Sequence, residues 1–582
     1  LKIKPLDLKS YQELIQVALR KSPADLWFKN AQFLNVYTGQ LQRSHIALSK
    51  GRIAYVGDKE PLTDKRTEVV ELETPQILVP GYIEPHAHPF QWYNPYTWGR
   101  FLVTQGTTTS INDNMALFKY LDDEQALSFI EKLHAEEGHL WLWWSRFDAQ
   151  TGLSQEENRF APSSLRRWLK HRLVVQGGEF TSWPLLLKGN QALAEAMLIT
   201  KQEFHKRVEG HLPGSSPETL NAMAASGVTA DHEALSGEDV IERLRLGLYA
   251  SLRYSSIRPD LPNLLEEIKA HPELNRSRIL LTNDGSMPFF VEQSGCNRMI
   301  EHVIAAGFSP IEAYRMVTLN PATYYGLEEE LGGIAPGRLA HINVLQDVLN
   351  PTPLRVMVDG KWVVQNQSTE RSHYSEQRQS PQWMKEYFPP KTASLTISSE
   401  MLHQSPAPVG IELINEVITK PYELDPHGAL ELNELYLSLV DEHGKWVLNT
   451  RIKNFASNLQ ALASTYTASS HYLLMGRDRD EMAQVLEHTL VRGGGIQATF
   501  TSGDEVWVPL PLAGGMSDEP MNLLMQHSKH FVEKLKENGH PFADPIYTLL
   551  FLTATHLPFI RMTDHGLYLI KEQKVIVPSH KL

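Results

Sequence analysis

Apolar and polar positions along the chain fall into three textures. Over residues 25–76 short runs such as "ADLWFKNAQFLNV", "SHIALSKGRIAYVGD" and "TEVVELETPQ" alternate in polarity or break at Gly and Asp, which predicts strands joined by turns. The same texture returns at 333–365 in "GGIAPGRLAHINVLQD" and "PLRVMVDGKWVVQ". Both ends of a long insertion therefore predict one β-sandwich domain, its first part in 1–76 and its second in 333–370.

The insertion, 77–332, reads differently. Eight β-rich runs are separated by helix-like segments: "ILVPGYIEPHAH", "TTTSINDN", "LWLWWSRF", "RLVVQGGEF", "KRVEGHLP", "GVTADHE", "LYASLRYSS" and "RILLTND". Intervening stretches such as "PSSLRRWLK", "SPETLNAMAAS" and "SGEDVIERLRLGLY" have helical spacing or an N-cap followed by acid. Strand and helix alternating eight times predict an α/β fold with a parallel (β/α)8 barrel, in which chemistry sits at the C-terminal ends of the strands. Beyond 366 a Ser/Gln/Arg-rich stretch predicts a linker over 371–389. From 390 to 582, strand-like "LYLSLVD" and "EVWVPLPLA" mix with helix-like "RDEMAQVLEHTLV", which predicts an additional α+β domain. "RGGGIQ" lacks the Lys-Ser/Thr of a phosphate loop and reads as a glycine turn.

Composition narrows the class. A chain of 582 residues with 42% hydrophobic and 21% charged positions has the balance of a folded globular protein. A net charge of −13 offers no footprint for a nucleic-acid backbone or an anionic membrane, and no apolar run is long enough to span a bilayer. One cysteine, Cys296, excludes an internal disulfide framework and the Cys-rich zinc site of some nucleobase deaminases. A reducing cytoplasm is the expected setting.

Set at the ends of the eight strands, the candidate chemistry converges. The first strand ends in His86 and His88, which alternation puts on one face. The fourth ends in Glu179, the fifth in His211, the sixth in His232 and the eighth in Asp284. A single strand-end histidine is ordinarily hydrogen-bonded to backbone or water, but six such residues on one rim exceed the needs of one tetrahedral ion. The pattern predicts two divalent cations bridged by Glu179 with a shared water.

These runs, with "VEGHLPGSSPETLNAMAASGVTADHE", "LLTNDGSMP", "SPIEAYRMVTLNPATYYGLEEELGGIAPGRLAHINVL" and, near the C-terminus, "PLPLAGGMSDEP", resemble the adenine deaminase branch of the amidohydrolase superfamily. The resemblance implies that His86, His88 and Asp284 hold one metal, His211 and His232 the other, and Glu179 bridges them. It implies manganese or iron, with zinc also compatible with imidazole and carboxylate donors. The implied reaction is hydrolytic removal of the exocyclic amine from a 6-aminopurine base. Asp284 is the expected proton carrier, and Glu233 is either an acid toward a ring nitrogen or an orienter of a neighbouring histidine. A homo-oligomer is compatible with the sequence, and a small purine base is the expected partner.

Two departures matter. Where the family typically has Asp-Pro-His-Glu after the second strand, this chain reads "INDNMALF", which makes Asn112, Asp113 and Asn114 candidate substrate contacts and raises N6-substituted adenines as substrates. Asn283 precedes Asp284 where two acids are common. Trp183, with Phe180, is a candidate stacking surface for the base. Two other readings stay open at this point: a cyclic amidohydrolase of hydantoinase or dihydroorotase type, and a non-catalytic relative that binds base or metal. The absence of lysine from "VVQGGEF" weighs against the first.

Overall fold

The computed structural model describes residues 3–147, 160–365, 379–392 and 398–582. Strands Leu26–Asn35, Gln40–Ser49 and Arg52–Gly57 form an antiparallel meander. Ile77–Pro80 lies parallel to the first of these and antiparallel to Ile342–Leu345, which is followed in the sheet by Arg355–Val358 and Lys361–Val364. The two ends of the insertion thus share one eight-stranded sheet rather than two separately bonded layers. Ile77–Pro80, expected as the start of the first barrel strand, belongs to this sheet. The chain passes through Gly81 into the barrel, where a Cβ would lie 2.3 Å from the Thr108 hydroxyl.

Eight parallel strands follow in sequence order: Tyr82–Ala87, Thr107–Asn112, Leu140–Trp144, Val174–Phe180, Arg207–Gly210, Ala230–Asp231, Tyr249–Arg253 and Ile279–Thr282. All eight expected runs supply one. Parallel strands covered on both faces lose the polar alternation of a half-exposed strand. "LWLWW" is the extreme case, with Trp141, Trp143 and Trp144 fully buried. The barrel is near-closed, and side chains join its first and eighth strands. The Thr282 hydroxyl lies 2.8 Å from the His86 carbonyl and 2.6 Å from Glu84, within reach of donating to either, and the Asn283 backbone amide donates to Glu84 at 3.1 Å.

Residues 371–378 of the expected linker lie outside the described residues, and the remainder does not behave as a surface connection. It forms the short helix Met384–Tyr387, with Met384 and Phe388 fully buried and the Phe388 ring 5.3 Å from that of Phe129. The C-terminal part is α+β, as expected. A nine-stranded and a three-stranded sheet accompany helices Arg479–Val491, Met521–Glu537 and Pro545–Phe551. Its packing with the barrel is intimate. Trp92, Tyr93, Trp98 and Met287 share one core cluster with Leu524, Phe531 and Tyr547, and the Ser517 amide donates to the Trp92 carbonyl at 2.6 Å. Among the described residues no helix is long and apolar enough to cross a membrane.

A buried ion pair ties the first residues to the mixed sheet. Arg52, fully buried, donates to Glu330 at 3.1 Å, to the Gly337 carbonyl at 2.8 Å and to the Lys4 carbonyl at 2.6 Å, while the Ile3 amide donates to Glu330. Removing one partner of such a pair strands a charge away from water. Glu330→Ala is expected to cost about 3–5 kcal/mol, and replacing both partners with apolar residues to recover most of it. Urea unfolding of the full chain followed by fluorescence checks both.

Candidate metal centre

His86 and His88 leave the first strand on one face and converge at their tips. Their Nε2 atoms are 3.2 Å apart, and each lies 3.3 Å from Asp284 Oδ1. A second triangle stands beside it: His211 Nδ1 is 3.0 Å from Glu179 Oε1 and 3.3 Å from His232 Nε2, with 3.6 Å between His232 Nε2 and Glu179 Oε1. Edges of this length suit donors arranged around a first-row ion at bonds of about 2.0–2.2 Å. Glu179 also groups with His86 and His88, their donor atoms lying within 4.8 Å of one another. The structure therefore brings together all six expected donors, and Glu179 stands where it can reach both triangles.

The surrounding charges point to cations. Among the described residues Asp113 pairs with Arg146, Glu233 with Arg253 and Arg258, and Asp284 with Arg253, while Glu179 and Glu209 face the imidazoles. The imidazoles respond. Burial works to lower the His88 and His211 rings, but neighbouring carboxylates outweigh it and raise them to about 9 and about 8. Buried acids that draw protons onto the neighbouring imidazoles mark a place that favours cations, which fits divalent metal ions.

Residues behind the donors fix their directions. Asp113 accepts from His88 Nδ1 at 3.0 Å, takes the Met115 amide at 2.9 Å and is paired with Arg146. Glu209 lies 3.0 Å from His86 Nδ1 and 3.5 Å from His232 Nδ1, angled off the ring N–H directions, so the contacts are electrostatic rather than aligned hydrogen bonds. One carboxylate thus steadies a histidine of each triangle, a common arrangement behind metal-binding imidazoles. Glu209 escaped the sequence reading, although it stands two residues before His211 and so on the same face of the strand. Glu84 is fully buried, and burial lifts its carboxyl to about 7 against the hydrogen bonds from Thr282, His86 and Asn283, which gives it a structural place at the barrel seam.

Arg253 is the other residue the sequence reading missed. At the end of the seventh strand it donates at 2.6 Å to both Glu233 and Asp284. Arg258 adds a 2.6 Å contact to Glu233. Burial pushes the Glu233 carboxyl up, but Arg253, with His211, His232 and Arg258, outweighs it and holds the group down at about 2. Asp284 is likewise held well below the usual carboxylate range by Arg253 against burial. A carboxylate gripped by two guanidiniums accepts hydrogen bonds, so of the two roles open for Glu233 the geometry favours orienting its neighbours over giving up a proton.

The remaining expectations part ways. Asn112 donates to the Ser110 and Leu142 carbonyls and Asn114 to that of Trp144. Both are fully buried, and neither lines the cavity above the donors, because each is spent on backbone at the barrel rim. Asp113 does line it, but its carboxylate is committed to His88. Trp183 Nε1 donates to the His211 carbonyl at 2.9 Å, so it braces the turn carrying that histidine rather than facing the base, and Phe180 is in the core. Asn283 takes the Gly285 amide, leaving Asp284 as the acid that faces the imidazoles.

Asp284 has φ +43°, an uncommon conformation for a non-glycine residue, and its surroundings hold it there. Tyr547 of the C-terminal part donates to the Gly285 carbonyl at 2.7 Å, Tyr93 to that of Ser286 at 3.0 Å, and the Asp284 amide donates to the Thr282 hydroxyl at 3.0 Å. The cavity above the donors measures about 710 Å³. Its floor includes His88, Glu179, His211 and Asp284, and Thr465–Ala468, Tyr547, Phe551 and His556 also line it, the His556 ring meeting that of His211 edge-on at 5.8 Å.

Residues 77–363 match the amidohydrolase family, and residues 416–574 match the adenine deaminase C-terminal domain. The chain is 41% identical over 578 residues to a protein of Halalkalibacterium halodurans named "putative adenine deaminase", covering 98% of each. It is 36% identical over 576 residues, again 98% of each, to a Bacillus subtilis protein, YerA, carrying the same name. A crystal structure of a beta-aspartyl dipeptidase from Fervidobacterium islandicum covers 61% of this chain and 99% of its own, at 14% identity and a TM-score of 0.45. With relatives this similar along nearly their whole length, the chain belongs to the adenine deaminase family of the amidohydrolase superfamily.

Proposed function

We propose that the protein hydrolyses the exocyclic C–N bond of a 6-aminopurine, adenine or an N6-substituted adenine such as N6-methyladenine, giving hypoxanthine and ammonia or an amine. The observation that carries this reading is the pair of adjacent donor triangles at the floor of one cavity. His86, His88 and Asp284 would hold one divalent cation, His211 and His232 the other, with Glu179 between them. Manganese or iron fits the thiolate-free donor set, and zinc remains compatible with it. When bound, the cations would supply Lewis acidity that makes a nucleophile available from water at neutral pH.

The chain's own residues account for the proton. Arg253 pairs with Asp284 Oδ2 and keeps the carboxylate ionised, so Asp284 is available as a base toward the attacking water. Asp284 then returns the proton to the exocyclic nitrogen as the C6–N6 bond breaks. Glu233, ionised between Arg253 and Arg258, is an acceptor for a purine N–H and orients the ring. The residues of the C-terminal part that line the cavity limit bulk water around the reacting carbon. Because Asn112 and Asn114 do not reach the cavity, acceptance of N6 substituents rests on its volume, which is within the range that holds ligands larger than a bare base.

Four outcomes test this reading. Manganese-loaded protein is expected to hold two metals per chain by elemental analysis and to release ammonia or methylamine from adenine or N6-methyladenine. His86→Asn and His211→Asn should each lower the metal content and cut kcat by about a thousandfold or more. Two metals with no turnover of either purine would overturn it. Arg253→Met should lower kcat by about a hundredfold. Because Arg253 depresses both Asp284 and Glu233, its loss raises their pKa values, so the acid limb of kcat/KM should move to higher pH. Tyr547→Phe, which frees the Gly285 carbonyl, should lower kcat by about fivefold with little change in KM, as expected for one lost hydrogen bond of about 1 kcal/mol.

A further inference from the structure

The cavity has two ends of different chemistry. On one side of the donor floor stand Glu233, Arg253 and Arg258, a polar edge suited to the ring nitrogens of a base. On the other, the helix Met115–Tyr120 turns Met115, Ala116, Lys119 and Tyr120 into the cavity. Their spacing of one, three and one residues puts them on a single helical face. Phe90, Tyr466 and Met516 also line the cavity, with Gln91 accepting from the Tyr466 hydroxyl, so this arm is largely apolar and Lys119 brings an ammonium group to it.

That ammonium is unusual in its company. Lys119 Nζ donates to the Thr467 carbonyl at 2.8 Å, and among the described residues no carboxylate forms an ion pair with it. Its ring contact is with Tyr120, whose centroid is 5.2 Å away. Burial, reinforced by Lys391, lowers its pKa to about 7, with Glu442 only partly opposing. Enclosing a cation without a counter-charge is unfavourable, and a neutral donor would serve Thr467 equally well. An ammonium has three N–H donors, and the Thr467 carbonyl uses one.

We propose that this arm is a subsite for the substituent on the exocyclic nitrogen, and that Lys119 binds a carboxylate at the end of that substituent, which makes N6-(carboxyalkyl)adenines a substrate class of this protein. The inference rests on the aminopurine reading above. With the ring against Glu233 and Arg258 and C6 over the donor triangles, the apolar walls take the alkyl stem and Lys119 its terminus. Water adds at C6, the C6–N6 bond breaks, and the proton taken from water goes to the departing nitrogen. The products are hypoxanthine and an amino acid, with no oxidant or co-substrate required.

The test compares kcat/KM for N6-(3-carboxypropyl)adenine with that for its uncharged carboxamide, in manganese-loaded full-length protein and in the Lys119→Met and Lys119→Arg variants, alongside adenine and N6-methyladenine. The wild-type protein is expected to favour the carboxylate by about ten- to a hundredfold, carried in KM. Lys119→Met should collapse that ratio to about one and Lys119→Arg should retain most of it. A wild-type ratio near one, or a ratio that survives Lys119→Met, overturns the proposal while activity on adenine or N6-methyladenine leaves the parent reading intact. Inactivity on all four purines overturns both. The wild-type ratio alone decides the matter if a variant fails to fold.

Discussion

Everything in this molecule depends on holding carboxylates and imidazoles at about 3 Å from one another inside a protein, where their mutual repulsion and lost hydration oppose the arrangement. No single neighbour offsets this. Asp113 and Arg146 steady His88, Glu209 steadies His86 and His232 together, and Arg253 spans Glu233 and Asp284. These supporting groups come from four different barrel strands or the turns after them. The rigidity of the parallel sheet is therefore what keeps the donors converged, since a strand that slid would carry its histidine and its supporting acid out of line together.

The C-terminal part is woven into this arrangement rather than appended to it. It lines the cavity, shares a hydrophobic core with the segment that follows the first strand, and through Tyr547 grips the turn that displays Asp284 in a left-handed conformation. A strained backbone persists when its surroundings over-determine it. Here the restraint comes partly from residues some 260 positions away along the chain.

Much of this was legible in the sequence, for physical reasons. Short β-rich runs alternate with helix-like segments, so all eight barrel strands stood out, and histidines that end such runs mark the rim. Glu209 and Arg253 were hidden for the opposite reason: a charged residue in or beside a strand reads as solvent-facing until the structure shows that it meets a partner across the barrel. Asn112 and Asn114 misled because rim position alone does not separate a side chain turned toward the cavity from one spent on a neighbouring carbonyl. Periodicity cannot reveal that Ile77–Pro80 and Tyr82–Ala87 serve different sheets, because both are apolar and the break between them is one glycine. Nor could the polar run after 366 announce that Phe388, shortly beyond it, would anchor in the barrel core.

The mixed sheet has a further consequence for how the protein is made. Ile77–Pro80 needs Ile342–Leu345 as its neighbour, so the edge left waiting by the first part of the chain is filled only after the whole barrel has been synthesised. At ribosomal speeds of about 5–20 residues per second, the intervening stretch leaves that edge of the strand unpaired on the nascent polypeptide for tens of seconds. During that interval the emerging protein carries an exposed β-edge, a period in which chaperone engagement would have its greatest effect on yield.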